Sequence, residues 1–187
     1  MSTLRLPRTI RLDPSDTFVF ERAAEPGEWA VTGSFLFTDT DPAGLSGKTM
    51  AAFRSGFVGV RSFGFSTLVV VSEATEREMK EAVDDLARHI RRDLGAPSDE
   101  LAREAAREEL AVAASLCGPA VNSVLAMHRT LVDGELREQF RLLAPRPGVA
   151  GADRLHLHAR AFALVEVDEE EPVERVDLVG LAGRGMA

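Results

Sequence analysis

The sequence predicts a single α+β domain in which helices and strands are segregated. Thr75 to Cys117 holds two strongly helical, charge-laden segments, whereas both flanks read almost entirely as strands. Helices and strands therefore do not alternate, as they would in a parallel nucleotide-binding sheet. The expected architecture is a bent antiparallel sheet, drawn from the N- and C-terminal halves, packed against the two central helices. A chain of 187 residues suits one core, so 1–187 reads as one domain with a short flexible tail near 180–187. Its 45% apolar and 28% charged residues supply both an interior and a solvated surface.

The N-terminal elements follow from alternation and turn chemistry. Leu4, Leu6, Thr9/Ile10 and Leu12 interleave with Arg5, Arg8 and Arg11, and Pro7 interrupts them, which is the pattern of an edge strand. Asp13-Pro14-Ser15-Asp16 turns the chain into a second strand, Thr17 to Arg22. Glu25-Pro26-Gly27-Glu28 places Pro and Gly as a type II turn needs and leads into a third strand, Trp29 to Thr38, which completes a meander. Asp41-Pro42 opens a short helical segment reaching about Phe53, weakened by Gly44 and Gly47. Phe57 to Ser72 reads as one long central strand, bent or bulged at Gly59 and Gly64.

The helices announce their own ends. Thr75 with Glu78 has capping-box spacing, Met79, Val83, Leu86, Ile90 and Leu94 form an apolar stripe, and Gly95 followed by Pro97 stops the helix. Ser98 caps the next helix, with Leu101, Ala105, Val112 and Leu116 expected inward and Glu104, Arg107 and Glu108 outward, before Gly118-Pro119 ends it. Val121 to Leu143 predicts a hairpin about Asp133-Gly134, a dipeptide that accepts positive φ angles. Pro145 to Ala152 reads as a loop and Arg154 to Val167 as a final strand. The acidic run Asp168 to Glu171 then leads to a short strand and tail from Val173 to Ala187.

Acidic residues outnumber basic ones by 30 to 22, so the net field repels phosphate backbones and anionic lipids. Arg88, Arg91 and Arg92 stand among Asp84, Asp85 and Asp93 in the last turns of a helix, where cations favour the macrodipole and remain solvated. Neither nucleic acid nor membrane is the expected partner. The N-terminus lacks a continuous apolar segment, and Leu68 to Val71 is far too short to cross a bilayer. With Cys117 as the lone cysteine, no intrachain disulfide is available, and the expected compartment is the cytoplasm.

Motifs that carry chemistry are few. His156 and His158 are two apart in an expected strand, so both imidazoles share a face and supply two of the ligands a metal needs; a solvated strand face with Arg160 and Glu166 is the competing reading. Gly47-Lys48-Thr49 has the ending of a phosphate loop, but the position five residues before Gly47 is Pro42, which has no amide hydrogen. Phe57, Phe63 and Phe65 would line any apolar cleft formed by the glycine-spaced stretch. Cys117 falls at a helix C-terminus, where the negative end of the dipole disfavours a thiolate. Glu108-Glu109 reads as a solvated helix face. No catalytic residue and no cofactor is assigned.

The opening third, LPRTIRLDPSDTFVFERAAEPGEWAVTGSFLF, resembles an uncharacterised family of small bacterial proteins, a domain of unknown function. The similarity continues through LARHI of the first helix and the AREE and LCG portions of the second. The resemblance transfers no catalytic residue. It implies an association with molybdenum-dependent, formate-dehydrogenase-like enzymes and their maturation factors. The leading expectation is a non-enzymatic cytoplasmic accessory module that binds another protein. Its rival is a small enzyme or ligand-binding domain using the His156/His158 strand or a cleft near Phe57 to Phe65. A homodimer paired through the Leu4 to Leu12 edge is a third expectation.

Overall fold

A computed structural model of the chain describes residues 3–145 and 164–166. It confirms the α+β class and divides the strands between two antiparallel sheets. The larger sheet contains β1 (Arg5–Ile10), β5 (Leu68–Glu73), β6 (Val124–Val132), β7 (Glu135–Pro145) and β8 (Leu164–Glu166), in the order β1-β5-β6-β7-β8. The smaller contains β2 (Ala30–Val31), β3 (Phe57–Gly59) and β4 (Phe65–Ser66). The described residues also form four α-helices, α1 (Ser15–Val19), α2 (Gly47–Ser55), α3 (Glu76–Asp93) and α4 (Asp99–Ser115).

The smaller sheet is the middle layer. Ala30 and Phe57 face the larger sheet, where they pack with Val69, Val71, Leu125, Met127 and Phe140 and with Leu116 and Cys117 after α4. Their neighbours Val31 and Val58, with Val60, pack against Val83, Leu86, Ile90, Ala102, Ala106 and Leu110 of the helical hairpin. Alternation along two-residue and three-residue strands thus serves both interfaces. Full burial of each leucine or isoleucine there contributes about 1.5–3 kcal/mol.

Several elements depart from the sequence reading. The strand expected at Thr17 to Arg22 is instead the short helix α1. The Asp13 carboxylate accepts from the Ser15 amide at 2.7 Å, Thr17 Oγ1 donates to the Pro14 carbonyl at 2.6 Å, and buried Asp16 accepts from the amide and hydroxyl of Thr67. These local bonds offer the backbone an alternative to a ladder and outweigh the β preference of Phe18, Val19 and Phe20. Phe18 is left 72% exposed, while Phe20 is buried with Phe37 and Phe53.

The strand expected from Trp29 to Thr38 ends at Val31, because Gly33 turns through a left-handed φ of 81° into the single helical turn Ser34–Leu36. The long strand expected from Phe57 to Ser72 is three strands: β3 folds back on β4, and β5 crosses to the larger sheet. The N-terminal meander is likewise replaced, since β1 pairs along its length with β5 and forms no ladder with the Trp29 segment beyond an isolated bridge at Arg8. The helix expected from Asp41 is split into a turn at Pro42–Gly44, capped by Asp41, and α2.

The helical hairpin and the β-hairpin follow the reading closely. Thr75 and Glu78 form the capping box, and Ser98 accepts from the Leu101 amide at 3.2 Å. On α3 the buried stripe is Val83, Leu86 and Ile90, whereas Leu94 is 47% exposed past the helix end. On α4 the inward stripe is Ala102, Ala106, Leu110 and Ala113, one residue beyond the expected Leu101 and Ala105, and Leu101 is 49% exposed. Alanines win there because small side chains let the helix approach its neighbours closely. At Asp133 and Gly134, φ values of 53° and 81° make the two-residue turn that joins β6 to β7.

The outer edge of β1 is blunted by Pro7, and at Thr9 it is occupied by the chain itself: the Thr9 amide donates to Glu28 and the Gly27 amide to Thr9, both at 2.8 Å. Where β5 stops pairing, at Leu68 opposite Ala126, α2 packs against the continuing β6. Among the described residues no helix is long and apolar enough to cross a membrane.

Candidate functional site

The solvent face of the helical hairpin carries an open groove of about 570 Å³. The short Leu94 to Ser98 connection turns α4 back along α3, so that Arg103 meets Asp84 at 3.3 Å and Arg91 meets Asp99 at 3.2 Å. Met79 and Val83 form the apolar floor of the groove between them, Lys80 and Arg107 stand on its rims, and the Asp84 to Arg103 pair and Glu76 complete its lining. Met79 and Val83 belong to the α3 stripe that also packs the core, so the floor is held from beneath. Helical spacing thus places an apolar strip and free cationic rims side by side.

A second cluster lies inside the molecule. The inner face of the β6 and β7 hairpin runs Leu125, Met127, Arg129 against Leu142, Phe140, Glu138 in register. Arg129 is fully buried: its Nε donates to Glu138 Oε1 at 2.9 Å, one terminal nitrogen to the Phe53 carbonyl at 2.7 Å and the other to the Thr32 carbonyl at 2.6 Å. The guanidinium also stands 5.0 Å from the centre of the Phe37 ring. Ser34 Oγ donates to Glu138 Oε1, while Glu138 Oε2 is buried without a hydrogen-bond partner. Burial lowers the Arg129 pKa, and the Glu138 charge opposes that shift.

Glu109 of α4 faces this cluster. Burial, reinforced by the charges of Glu138 and Glu108, pushes its carboxyl up to about 7 against the smaller pull of Arg129. The solvated face expected at Glu108-Glu109 therefore holds only for Glu108; Glu109 is half-buried. The geometry makes Arg129 a clamp that ties the β-hairpin to the end of α2 and to the segment after β2. A shallow cleft of about 440 Å³, lined by Met50, Phe53, Arg54, His128 and Thr130, lies beside it.

The other buried polar groups also hold loops. The Glu28 carboxylate accepts from the amides of Glu25, Arg61 and Ser62 at 2.8, 2.8 and 2.9 Å and from the Ser62 hydroxyl. His89 on α3 stacks on Phe63 with centroids 4.5 Å apart and an interplanar angle of 3°, while its Nε2 donates to the Arg61 carbonyl at 2.9 Å. Its Nδ1 lies 2.8 Å from Asp93, whose carboxyl is held far below the usual range by Arg92 first and by His89 second.

The residues singled out from sequence are dispersed. His156 and His158 lie outside the described residues. Phe57 is buried between the sheets, Phe63 stacks on His89, and Phe65 packs near Phe20 and Phe37, so the three rings serve separate contacts. Lys48 and Thr49 are exposed in the first turn of α2, where Thr49 Oγ1 bonds the Ser46 carbonyl. Cys117 is a buried thiol pushed up to about 12, and the cause is burial rather than the end of a helix dipole. Sequence reasoning missed Arg129, Glu138, Glu28 and His89. The signal available for the first two was an Arg and a Glu on the apolar face of a hairpin whose register the turn fixes.

Fold and groove together define a two-sheet α+β protein with an exposed helical hairpin. Residues 3–162 match DUF6505, described as a family of unknown function, and the chain belongs to that family. No curated protein matches the chain. No solved structure matches it either.

Proposed function

We propose that this protein is a non-enzymatic, cytoplasmic accessory module that works by binding another protein, with the assembly of a molybdenum-dependent redox enzyme as its setting. The observation that carries the binding role is the groove on the helical hairpin, an apolar floor of Met79 and Val83 that reaches solvent between Lys80 and Arg107. Grooves of this form take the apolar face of a partner element. The buried charged groups support the same reading, because Glu28, Asp16 and Arg129 are each bonded to backbone or loop groups that they hold in place. The buried thiol of Cys117, its pKa raised by burial, is a poor nucleophile, which fits a non-enzymatic role. The redox setting rests on the family resemblance alone.

Affinity capture at native expression level, followed by quantitative mass spectrometry, tests the proposal. A near-stoichiometric redox-enzyme subunit or maturation factor is the expected result; recovery of the protein alone contradicts it.

A further inference from the structure

We infer that the α3 and α4 groove takes a short, acidic amphipathic helix from a partner protein, an inference that rests on the binding role proposed above and assigns its surface. Three features of the groove define the occupant. The floor, Met79 and Val83, lies one helical turn apart on α3, so it matches apolar side chains spaced by three or four residues on an opposing helix. The lined stretch of α3, from Glu76 to Asp84, spans about 12 Å at the helical rise, which is roughly two turns of a partner.

Charge selects the partner's sign. Asp84 is engaged by Arg103 at 3.3 Å; among the described residues Lys80, Arg107 and Glu76 have no ion-pair partner, Lys80 and Arg107 flanking the apolar floor from opposite helices and Glu76 standing one turn before Lys80. Lys80, Arg103 and Arg107 stand against Glu76 and Asp84 in the lining, a net positive charge on a chain of net charge −8. Lys80 and Arg107 complement Asp or Glu on both shoulders of an apolar stripe and disfavour a basic one. Nucleic acid would leave the apolar floor without a match.

The test is selection of a phage-displayed random peptide library on the full-length chain, followed by binding measurements on the enriched peptides. The expected peptides carry apolar residues at helical spacing flanked by Asp or Glu. Their affinity falls at least about tenfold in a K80E/R107E variant, and charge-reversed peptides recover binding to that variant. Both positions are on the surface, and an unchanged melting curve of the variant establishes that the loss is local. Enriched peptides that are basic, or that bind the variant as well as the native chain, overturn the inference. So does a dimer in light scattering that K80E/R107E dissociates, which assigns the groove to a second copy. If native-level capture yields a stoichiometric partner that K80E/R107E retains, the groove assignment fails while the accessory role stands.

Discussion

Arg129 and Glu138 stand directly opposite each other on β6 and β7, 2.9 Å apart, and the guanidinium between them is wholly buried. Around that pair, the Phe53 carbonyl of α2 and the Thr32 carbonyl after β2 accept from the same guanidinium. Taking two charges out of water is costly, and the ion pair with its carbonyl partners offsets that cost, although Glu138 Oε2 is left without a hydrogen bond. Its consequence is that three elements distant in sequence are fixed to one point.

Arg129→Ala should therefore destabilise the fold by about 3–5 kcal/mol, since it leaves Glu138 buried without its cation. The R129M/E138L double variant should lose less than Arg129→Ala alone, because no uncompensated charge remains. Urea unfolding of the three proteins measures both differences; equal losses in single and double variants would contradict the pairing.

Glu109 makes stability depend on pH. Its carboxyl is raised from 4.5 to about 7, so the folded chain holds a proton that the unfolded chain releases. Below 4.5 both states are protonated; between 4.5 and about 7 stability falls as pH rises, and above about 7 the full cost is present. The half-buried position limits this loss to about 3 kcal/mol. Denaturation at mildly acidic and mildly alkaline pH should show the decline in the native chain and a flatter profile in Glu109→Gln.

Glu28 should tolerate neither removal nor crowding. Glu28→Ala leaves the amides of Glu25, Arg61 and Ser62 without their acceptor and should cost at least about 2 kcal/mol. Gly59→Ala should be destabilising for the complementary reason, because a Cβ there runs into the Glu28 carboxylate. Thermal melts of both variants check the pair.

Cys117 should resist alkylation in the folded protein. With its thiol pushed up to about 12 from 9.0, the thiolate fraction near neutral pH falls by about a thousandfold, and burial blocks access as well. Iodoacetamide labelling followed by mass spectrometry should be slow in buffer and rapid in denaturant. Rapid labelling of the folded chain would refute the buried placement.

What the sequence made legible was whatever short-range chemistry decides. Thr75 with Glu78, Ser98, and Asp133-Gly134 each settle their element within a few residues, and each stands in the structure as read. Phe18 and the Phe57 to Ser72 stretch were not legible, because β preference there is overridden by distant partners: Thr67 holding Asp16, and the return of β3 on β4. The groove was half legible. Met79 and Val83 belong to the stripe read from periodicity, but the stripe does not say that α4 would place Arg107 across from Lys80. Glu109 was misread because its neighbour Glu108 is solvated and the charges that act on it, Glu138 and Arg129, lie on the β6 and β7 hairpin, distant in sequence.

The most direct test of the proposed role is the ratio of partner to bait in native-level capture, measured side by side for the native chain and K80E/R107E. The account predicts a near-stoichiometric partner with the native chain and its loss, by about tenfold or more, with the variant. Recovery of the native chain without a partner would contradict the binding role itself.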